Sequence, residues 1–394
     1  MVDNIFKLDL PDDVRYIIEK LEINGYAAYA VGGCVRDAVL GKKPNDWDIC
    51  TAASPEDTKE IFKDKNLVLA GLKHGTVGII ISGQVYETTT FRVEGEYKDH
   101  RRPESVVFVD NVEGDLSRRD FTVNAMAYSD KRGIIDLFGG IEDLKKGIIR
   151  CVGDAEQRFL EDALRILRAL RFAARFGFKV EEKTKAAAFK LKDLLNSISK
   201  ERKTSELKGI LCAADPGAII AEFSPVFSTV LQTDENELTK RSRIIAKMPV
   251  NFALRLGALV REVNILSDMK LSNAELALAV ETARSIGTDP PTSVGEMCRM
   301  VMRLGKNAPL ILEAMGTVKD ITAAKQFLDE IYTENRCCSL KDLNIKGKDL
   351  IAVGFKGEQI GIALEKLLYE VMDGATKNDK NELIRRALSI KEEE

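Results

Sequence analysis

Histidine is almost missing from this chain. His74 and His100 are the only two in 394 residues, which rules out a metal centre built on imidazoles. Proline is scarce at ten residues, and no apolar run approaches the roughly 18 residues of a membrane span. The first residues, "MVDNIFKLDLPDDV", lack both a basic segment and an apolar one, so no secretory signal is expected. The seven cysteines lack metal-ligand spacing. Cys337 and Cys338 are adjacent, which suits neither a zinc knuckle nor an ordinary disulfide. These features predict a cytoplasmic protein in a reducing compartment. An excess of basic charge is also absent: the net charge is -3 and the isoelectric point near 5.8, so nucleic-acid contacts must come from local basic faces.

What is present divides unevenly. Up to about residue 150, short β-type runs ("AAYAVGG", "TVGIIIS", "QVYETTTF", "SVVFVD") alternate with short helices. One of these helices, "SPEDTKEIF", opens with Ser54 as N-cap and Pro55 at the first helical position. From Ala155 onward strand signals nearly vanish, and "AEQRFLEDALRILRALRFAARFGF" and "SKERKTSELKGILC" read as long helices. Gly and Pro at "AADPGA", "GTDPPTS" and "RLGKNAP" punctuate the rest. The expectation is an α+β head followed by an all-α body about twice as long.

In "NDWDI", Asp46 and Asp48 stand two residues apart, so an extended backbone points both carboxylates one way. Such a pair repels itself unless a cation intervenes, and an oxygen-only donor set favours Mg²⁺. An EF-hand does not fit: counted from Asp46, the sixth position is Thr51 and the twelfth Asp57. Upstream, Gly32 and Gly33 of "VGGCVRD" sit between a strand and a helix, where backbone amides form a phosphate cradle that Arg36 can supplement. In "VYETTTFR", Glu87, Thr89 and Phe91 share a strand face, which makes Glu87 a candidate third catalytic carboxylate. "RRDFTVNAMAY" opens a helical run in which Asn124 lies one turn from Asp120, and "RVEGEYKDHRRPESV" reads as a mobile loop.

At about 100° per residue, "LEDALRILRALRFAARFGF" separates an apolar arc (Ile166, Leu170, Ala163) from a charged face carrying Arg165, Arg168, Arg171 and Arg175. Those arginines call for an anion or a row of acids opposite them. Arginine, with no lysine in its place, suits planar recognition of phosphate or base edges.

In this order and spacing, "GGCVRD", "DWDI", "HGTVGI", "ETTTFR", "RRDFTVNAMA" and "EDALRILRALRFAARFGF" resemble bacterial class II tRNA nucleotidyltransferases, the family of CCA-adding enzymes and related poly(A) polymerases. The resemblance covers about residues 25 to 210 closely and the remainder loosely. It implies a polymerase β-like nucleotidyltransferase head with a mixed β-sheet (1–150), then an all-α neck (151–215), body (216–305) and tail (306–394). It further implies that Gly33, Arg36, Arg119, Asp162, Arg165, Arg168 and Arg171 bind nucleotide and that Asp46 and Asp48 hold Mg²⁺. The substrates would be CTP, ATP and tRNA. In "VGFKGEQIG", Gly354 and Gly357 make a turn before a helix, and the resemblance assigns it to gripping tRNA.

Asp162 as acceptor and Arg165 as donor would match cytosine and adenine, which both show an amino group beside a ring-nitrogen acceptor. Uracil and guanine reverse that polarity and would be rejected on the order of 10⁴-fold. Three alternatives share these motifs. A poly(A) polymerase is disfavoured by the short acidic end "RRALSIKEEE", and a CC-only enzyme by the intact "RVEGEYKDHRRP" loop. An A-only enzyme stays open. A non-catalytic RNA-binding protein would have no need of close-set carboxylates.

Overall fold

The computed structural model describes residues 7–94 and 106–393, so most of the "RVEGEYKDHRRPESV" loop lies outside the described residues. The chain divides into two compact units, Met1–Glu237 and Leu238–Glu394.

In the first unit the strands are β1 Ala28–Val31, β2 Ile49–Thr51, β3 Asn66–Val68, β4 Thr76–Ile81, β5 Gln84–Thr90, β6 Arg92–Glu94, β7 Val106–Phe108, β8 Met126–Ser129, β9 Gly133–Asp136, β10 Ile148–Ile149 and β11 Lys179–Val180. Its first nine helices are α1 Asp12–Ile23, α2 Gly33–Val39, α3 Pro55–Ile61, α4 Val112–Ser117, α5 Gly140–Lys146, α6 Ala155–Glu161, α7 Leu164–Phe176, α8 Glu182–Lys190 and α9 Lys200–Leu211. Seven strands form one mixed sheet in the order β3-β4-β5-β2-β1-β8-β9. Only β2 and β5 run parallel within it. The expected α+β head with a mixed sheet is therefore present.

One face of the sheet is covered by α1 and α3, whose Ile17, Leu21 and neighbouring Phe62 are fully buried. The start of α3 is as expected: Ser54 and Asp57 form a reciprocal capping box with Pro55 at the first position. On the other face, Tyr29, Val31, Cys50 and Phe91 pack with Val112 and Leu116 of α4. Alternation along β5 puts Glu87 and Thr89 on this face too, where α4 no longer covers it. That open stretch is where the acidic residues gather.

Two expected helices take other forms. "RRDFTVNAMAY" is a single 3₁₀ turn, Thr122–Asn124, followed directly by β8. Its β-competent Met-Ala-Tyr segment pairs with β1, and sheet pairing overrides the helical spacing. The long neck helix is broken at Asp162, whose backbone is extended (φ -143°, ψ 103°). There Asp162 turns its own carboxylate onto the Leu164 N–H at 3.0 Å, so the side chain competes with helix continuation and starts α7 afresh.

The second unit is helical throughout its described elements. Its centre is helix Phe252–Val260, buried at every position, against helix Asn273–Ser285. Gly257 is required there because a Cβ would stand 2.1 Å from the Ala279 carbonyl oxygen. Gly354 (φ 89°) and Gly357 (φ 56°) form the expected turn before helix Glu358–Met372, and Lys391 Nζ donates to the Gly354 carbonyl at 2.9 Å. No described helix is long and apolar enough to cross a membrane. All seven cysteines are free thiols.

Candidate active site

The β1–α2 turn sets the first part of the site. The Gly32 N–H donates to the Met126 carbonyl at 3.0 Å, which fixes the turn to β8 and leaves the first amides of α2, Gly33 among them, without intrahelical partners. Gly32 adopts φ 82°, ψ -126°, and a Cβ there would lie 2.8 Å from Nη1 of Arg119. The Arg119 guanidinium thus rests against the turn because glycine leaves the space. It is held from behind by Asp115, a fully buried carboxylate shared between Arg118 (2.7 Å) and Arg119 (2.9 Å). Burial would push Asp115 up, but the two guanidinium groups outweigh it and hold its carboxyl below the usual range. Gly32→Ala is expected to cost about 1–3 kcal/mol in backbone strain and to dislodge Arg119. A lower melting temperature together with a loss of kcat/KM of at least about tenfold checks this.

The acidic pair lies just before β2. Asp46 and Asp48 face outward while Trp47 and Ile49 turn into the core, the alternation expected of an extended segment. The Asp48 backbone carbonyl accepts from Val31 N–H at 2.9 Å, which ties the pair to the glycine turn. The β2–β5 register opposes Ile49 to Thr88, so continuing it one residue sets Asp48 beside Glu87. Asp48 reaches solvent yet is crowded by protein atoms, as at the floor of a cleft. Desolvation, with Glu87 and Asp46 nearby, raises its carboxyl above the ordinary value despite the opposing pull of Arg119. Among the described residues no three His, Cys, Asp or Glu side chains converge tightly enough to hold a metal unaided. The donor chemistry still fits a hard divalent cation, since such ions take part of their oxygen shell from water and substrate phosphates.

The arginine row of α7 closes the site. Acids do stand opposite it: Arg165 pairs with Glu161, Arg168 makes a two-nitrogen contact to Asp120 (2.9 and 2.6 Å), and Arg171 binds Glu206 at 2.6 Å. Asp120 also accepts from Asn124 Nδ2 at 3.2 Å, and Asn124 Oδ1 accepts from Arg36 at 2.5 Å. The Arg36 guanidinium lies 5.4 and 4.9 Å from the ring centroids of Phe172 and Phe176 and is also bonded to Asp37.

These elements enclose a cavity of about 320 Å³. Of the expected nucleotide and metal residues, it brings together Gly33, Arg36, Asp46, Asp48, Arg119, Arg168 and Arg171. Glu87 stands outside that lining, next to Asp48. Asp162 and Arg165 are also outside it, and each has partners within the chain. The break at Asp162 sends its carboxylate to Leu164 N–H and to Arg202 (2.8 Å), while Arg165 turns to Glu161. Asp120, Asn124 and Phe172 line the cavity without having been assigned a site role, and Arg175 joins them as part of the expected arginine row. The available signals were an acid directly after Arg118 and Arg119, and two phenylalanines one turn apart on the arginine helix. The lining holds five arginines and four aspartates, so it suits a polyanion accompanied by a cation better than either alone.

A glycine turn against a strand end, outward paired aspartates and an arginine row define a nucleotidyltransferase head. Family models agree: a poly(A) polymerase head domain matches residues 28–150, a probable RNA- and SrmB-binding site of polymerase A matches 177–223, and a putative second domain of tRNA nucleotidyltransferase matches 247–387. The CCA-adding enzyme of Ligilactobacillus salivarius is 36% identical, with 100% of this chain and 99% of that protein aligned. That of Enterococcus faecalis is 35% identical, over 97% and 96%. Among solved structures, the Bacillus stearothermophilus CCA-adding enzyme in complex with CTP superposes with a TM-score of 0.76 at 30% identity, covering 96% of both chains. The chain belongs to the CCA-adding enzyme family.

Proposed function

We propose that this protein builds the CCA end of tRNA without a nucleic-acid template, adding CMP and then AMP from CTP and ATP in the cytoplasm. The observation that carries this is the single cavity joining a glycine turn, paired aspartates and an arginine row, in a chain similar to CCA-adding enzymes along its whole length. Residues 1–150 would serve as catalytic head, 151–215 as neck, 216–305 as body and 306–394 as tail.

In the proposed reaction the tRNA 3′-hydroxyl attacks the α-phosphate and pyrophosphate leaves. Gly33 amides and Arg119, Arg168 and Arg171 neutralise the triphosphate and align the α-phosphate. Asp46 and Asp48 would hold Mg²⁺, which when bound polarises the phosphate and eases ionisation of the hydroxyl. Glu87, beside Asp48, would serve as the base that accepts the proton the hydroxyl gives up. Asp162 retains acceptor capacity after binding Leu164 and Arg202, because each carboxylate oxygen takes two hydrogen bonds. It would receive the amino group common to cytosine and adenine, with Arg165 completing the recognition. The Gly354–Gly357 turn would approach the tRNA backbone.

The test uses tRNA ending before CCA, after C and after CC, with CTP and ATP singly and together. Both nucleotides together should complete all three, and CTP alone should stop at CC. Extension only of the CC-ended tRNA, and only with ATP, would show an A-only enzyme. Binding without any extension would show a non-catalytic protein.

A further inference from the structure

The second unit brings three buried thiols into one neighbourhood. Helix Thr322–Thr333 packs along helix Val294–Leu304, which carries Cys298. Beyond its end the chain reverses: Asn335 takes the left-handed conformation (φ 49°), and the Arg336 N–H donates to the Ile331 carbonyl at 3.0 Å. The reversal returns Cys337 and Cys338 to the helix of Cys298, and all three are buried. The two adjacent cysteines then diverge. Cys337 Sγ donates to the Ser339 carbonyl of its own turn at 3.7 Å. The Cys338 N–H donates to the Asp342 carboxylate at 3.2 Å, and its thiol is hydrogen-bonded to Cys298. A free thiol packs well as a small apolar group and needs no sulfur beside it. Two sulfurs in contact from distant segments are what a disulfide requires.

The pair is unequal. The hydrogen bond from Cys338, with the Arg336 and Arg299 guanidinium groups, holds the Cys298 thiol below its ordinary value against the effect of burial. Giving that bond, together with burial, pushes Cys338 up, so Cys298 carries the thiolate and Cys338 keeps its proton. Both arginines are partly open to water, Arg299 beside Asp373 and Arg336 beside Glu330 and Glu334, which sets the sulfurs just beneath the surface.

We propose that Cys298 and Cys338 are a redox modification site, closing to a reversible disulfide when the protein meets hydrogen peroxide. The Cys298 thiolate attacks one peroxide oxygen, the O–O bond breaks, and hydroxide leaves with the proton Cys298 gave up, as water. Cys338 sulfur then attacks the resulting sulfenic acid at Cys298 sulfur. The S–O bond breaks, and the departing hydroxyl takes the Cys338 proton as a second water. Two thiols lose two electrons and one peroxide gains them. The bond closes a loop of about 40 residues and fixes the segment that leads to helix Gly347–Ala352 and the Gly354–Gly357 turn. Neither cysteine lines the head cavity.

The experiment treats the reduced full chain with hydrogen peroxide for timed intervals, blocks remaining thiols with N-ethylmaleimide and reads tryptic peptides by mass spectrometry. Trypsin places Cys298 in the peptide ending at Arg299, and Cys337 with Cys338 in "CCSLK". The two peptides should appear joined and two hydrogens lighter than their sum, with fragmentation placing the bond on Cys338 and dithiothreitol reversing it. The joined form should accumulate at least as fast as the exposed Cys212 is oxidised, and should melt about 5 °C or more above the reduced protein. Cys337→Ser should keep the bond, whereas Cys338→Ser should drive Cys298 on to the sulfinic acid, two oxygens heavier. A bond to Cys337, or joining more than about tenfold slower than the loss of Cys212, would overturn the proposal. A joined form that melts below the reduced protein would do so too, since the bond would then belong to the unfolded chain. Fragmentation of the wild-type peptide identifies the partner of Cys298 even where a serine variant fails to fold.

Discussion

Asp48→Asn is expected to lower kcat by at least about 10³-fold while raising the melting temperature of the nucleotide-free protein at neutral pH. Both effects come from one carboxylate. Crowding by protein, with Glu87 and Asp46 nearby, raises the Asp48 carboxyl above its ordinary value, so the fold disfavours its ionised form. A carboxyl with a raised value in the folded state supports the fold below the ordinary carboxylate range. That support is lost as pH climbs through the raised value. At neutral pH the charge therefore opposes folding, and asparagine relieves it without changing the side chain's shape. Mg²⁺ should give the wild type a stabilisation that grows with pH, and the variant much less of it. Binding to tRNA should be nearly unchanged, as the substitution leaves the basic groups alone. Paired melting curves with and without Mg²⁺, alongside single-turnover rates, check all of this. A variant less stable than wild type at neutral pH would refute the opposition of the Asp48 charge to folding, and one retaining a tenth of the rate would refute the metal assignment. Asp46→Ala should lose transfer in the same way.

The head was legible because its signals are local. Glycines after a β-run, an Asp-x-Asp before another and Glu87 on an alternating strand each depend on period-two geometry, and the sheet preserves that geometry. The arginine row survived for the same reason, since α7 keeps the 3.6-residue period over its length. What escaped was every feature decided by competition between a side chain and the backbone, or by partners distant in sequence. The break at Asp162 looks helical by periodicity and is settled by one carboxylate-to-amide hydrogen bond. The pairing of Arg168 with Asp120 spans 48 residues and that of Arg36 with Asn124 spans 88, so no window of sequence contains either. The "TVNAMAY" segment carries enough helical spacing to mislead, and only the presence of β1 beside it makes it a strand.

Asp120→Ala is expected to be the most destabilising single change in the site, and to weaken nucleotide binding more than chemistry. Asp120 lies between the head and α7: one oxygen takes both nitrogens of Arg168, the other accepts from Asn124, and Asn124 passes the connection to Arg36. Burial alone would raise its carboxyl, but Arg168, the Asn124 hydrogen bond and nearby Arg165 hold it below the ordinary range. Removing it leaves Arg168 without its counter-charge. Because Arg168 is partly open to water, the loss should be about 3 kcal/mol, the lower end for breaking a buried pair. In a cooperative unit of this size that is a fall of roughly 6–12 °C in melting temperature. A carboxyl with a lowered value contributes its stability above the ordinary carboxylate range and loses it as pH falls through that lowered value. The gap between wild type and variant should accordingly be full at neutral pH and shrink as the pH drops below about 4. In kinetics, a displaced Arg168 should raise KM for CTP and ATP together by about tenfold, with kcat at saturation changed far less. Loss of kcat at unchanged KM and unchanged melting temperature would place Asp120 among the reacting groups and remove it from the frame that positions them.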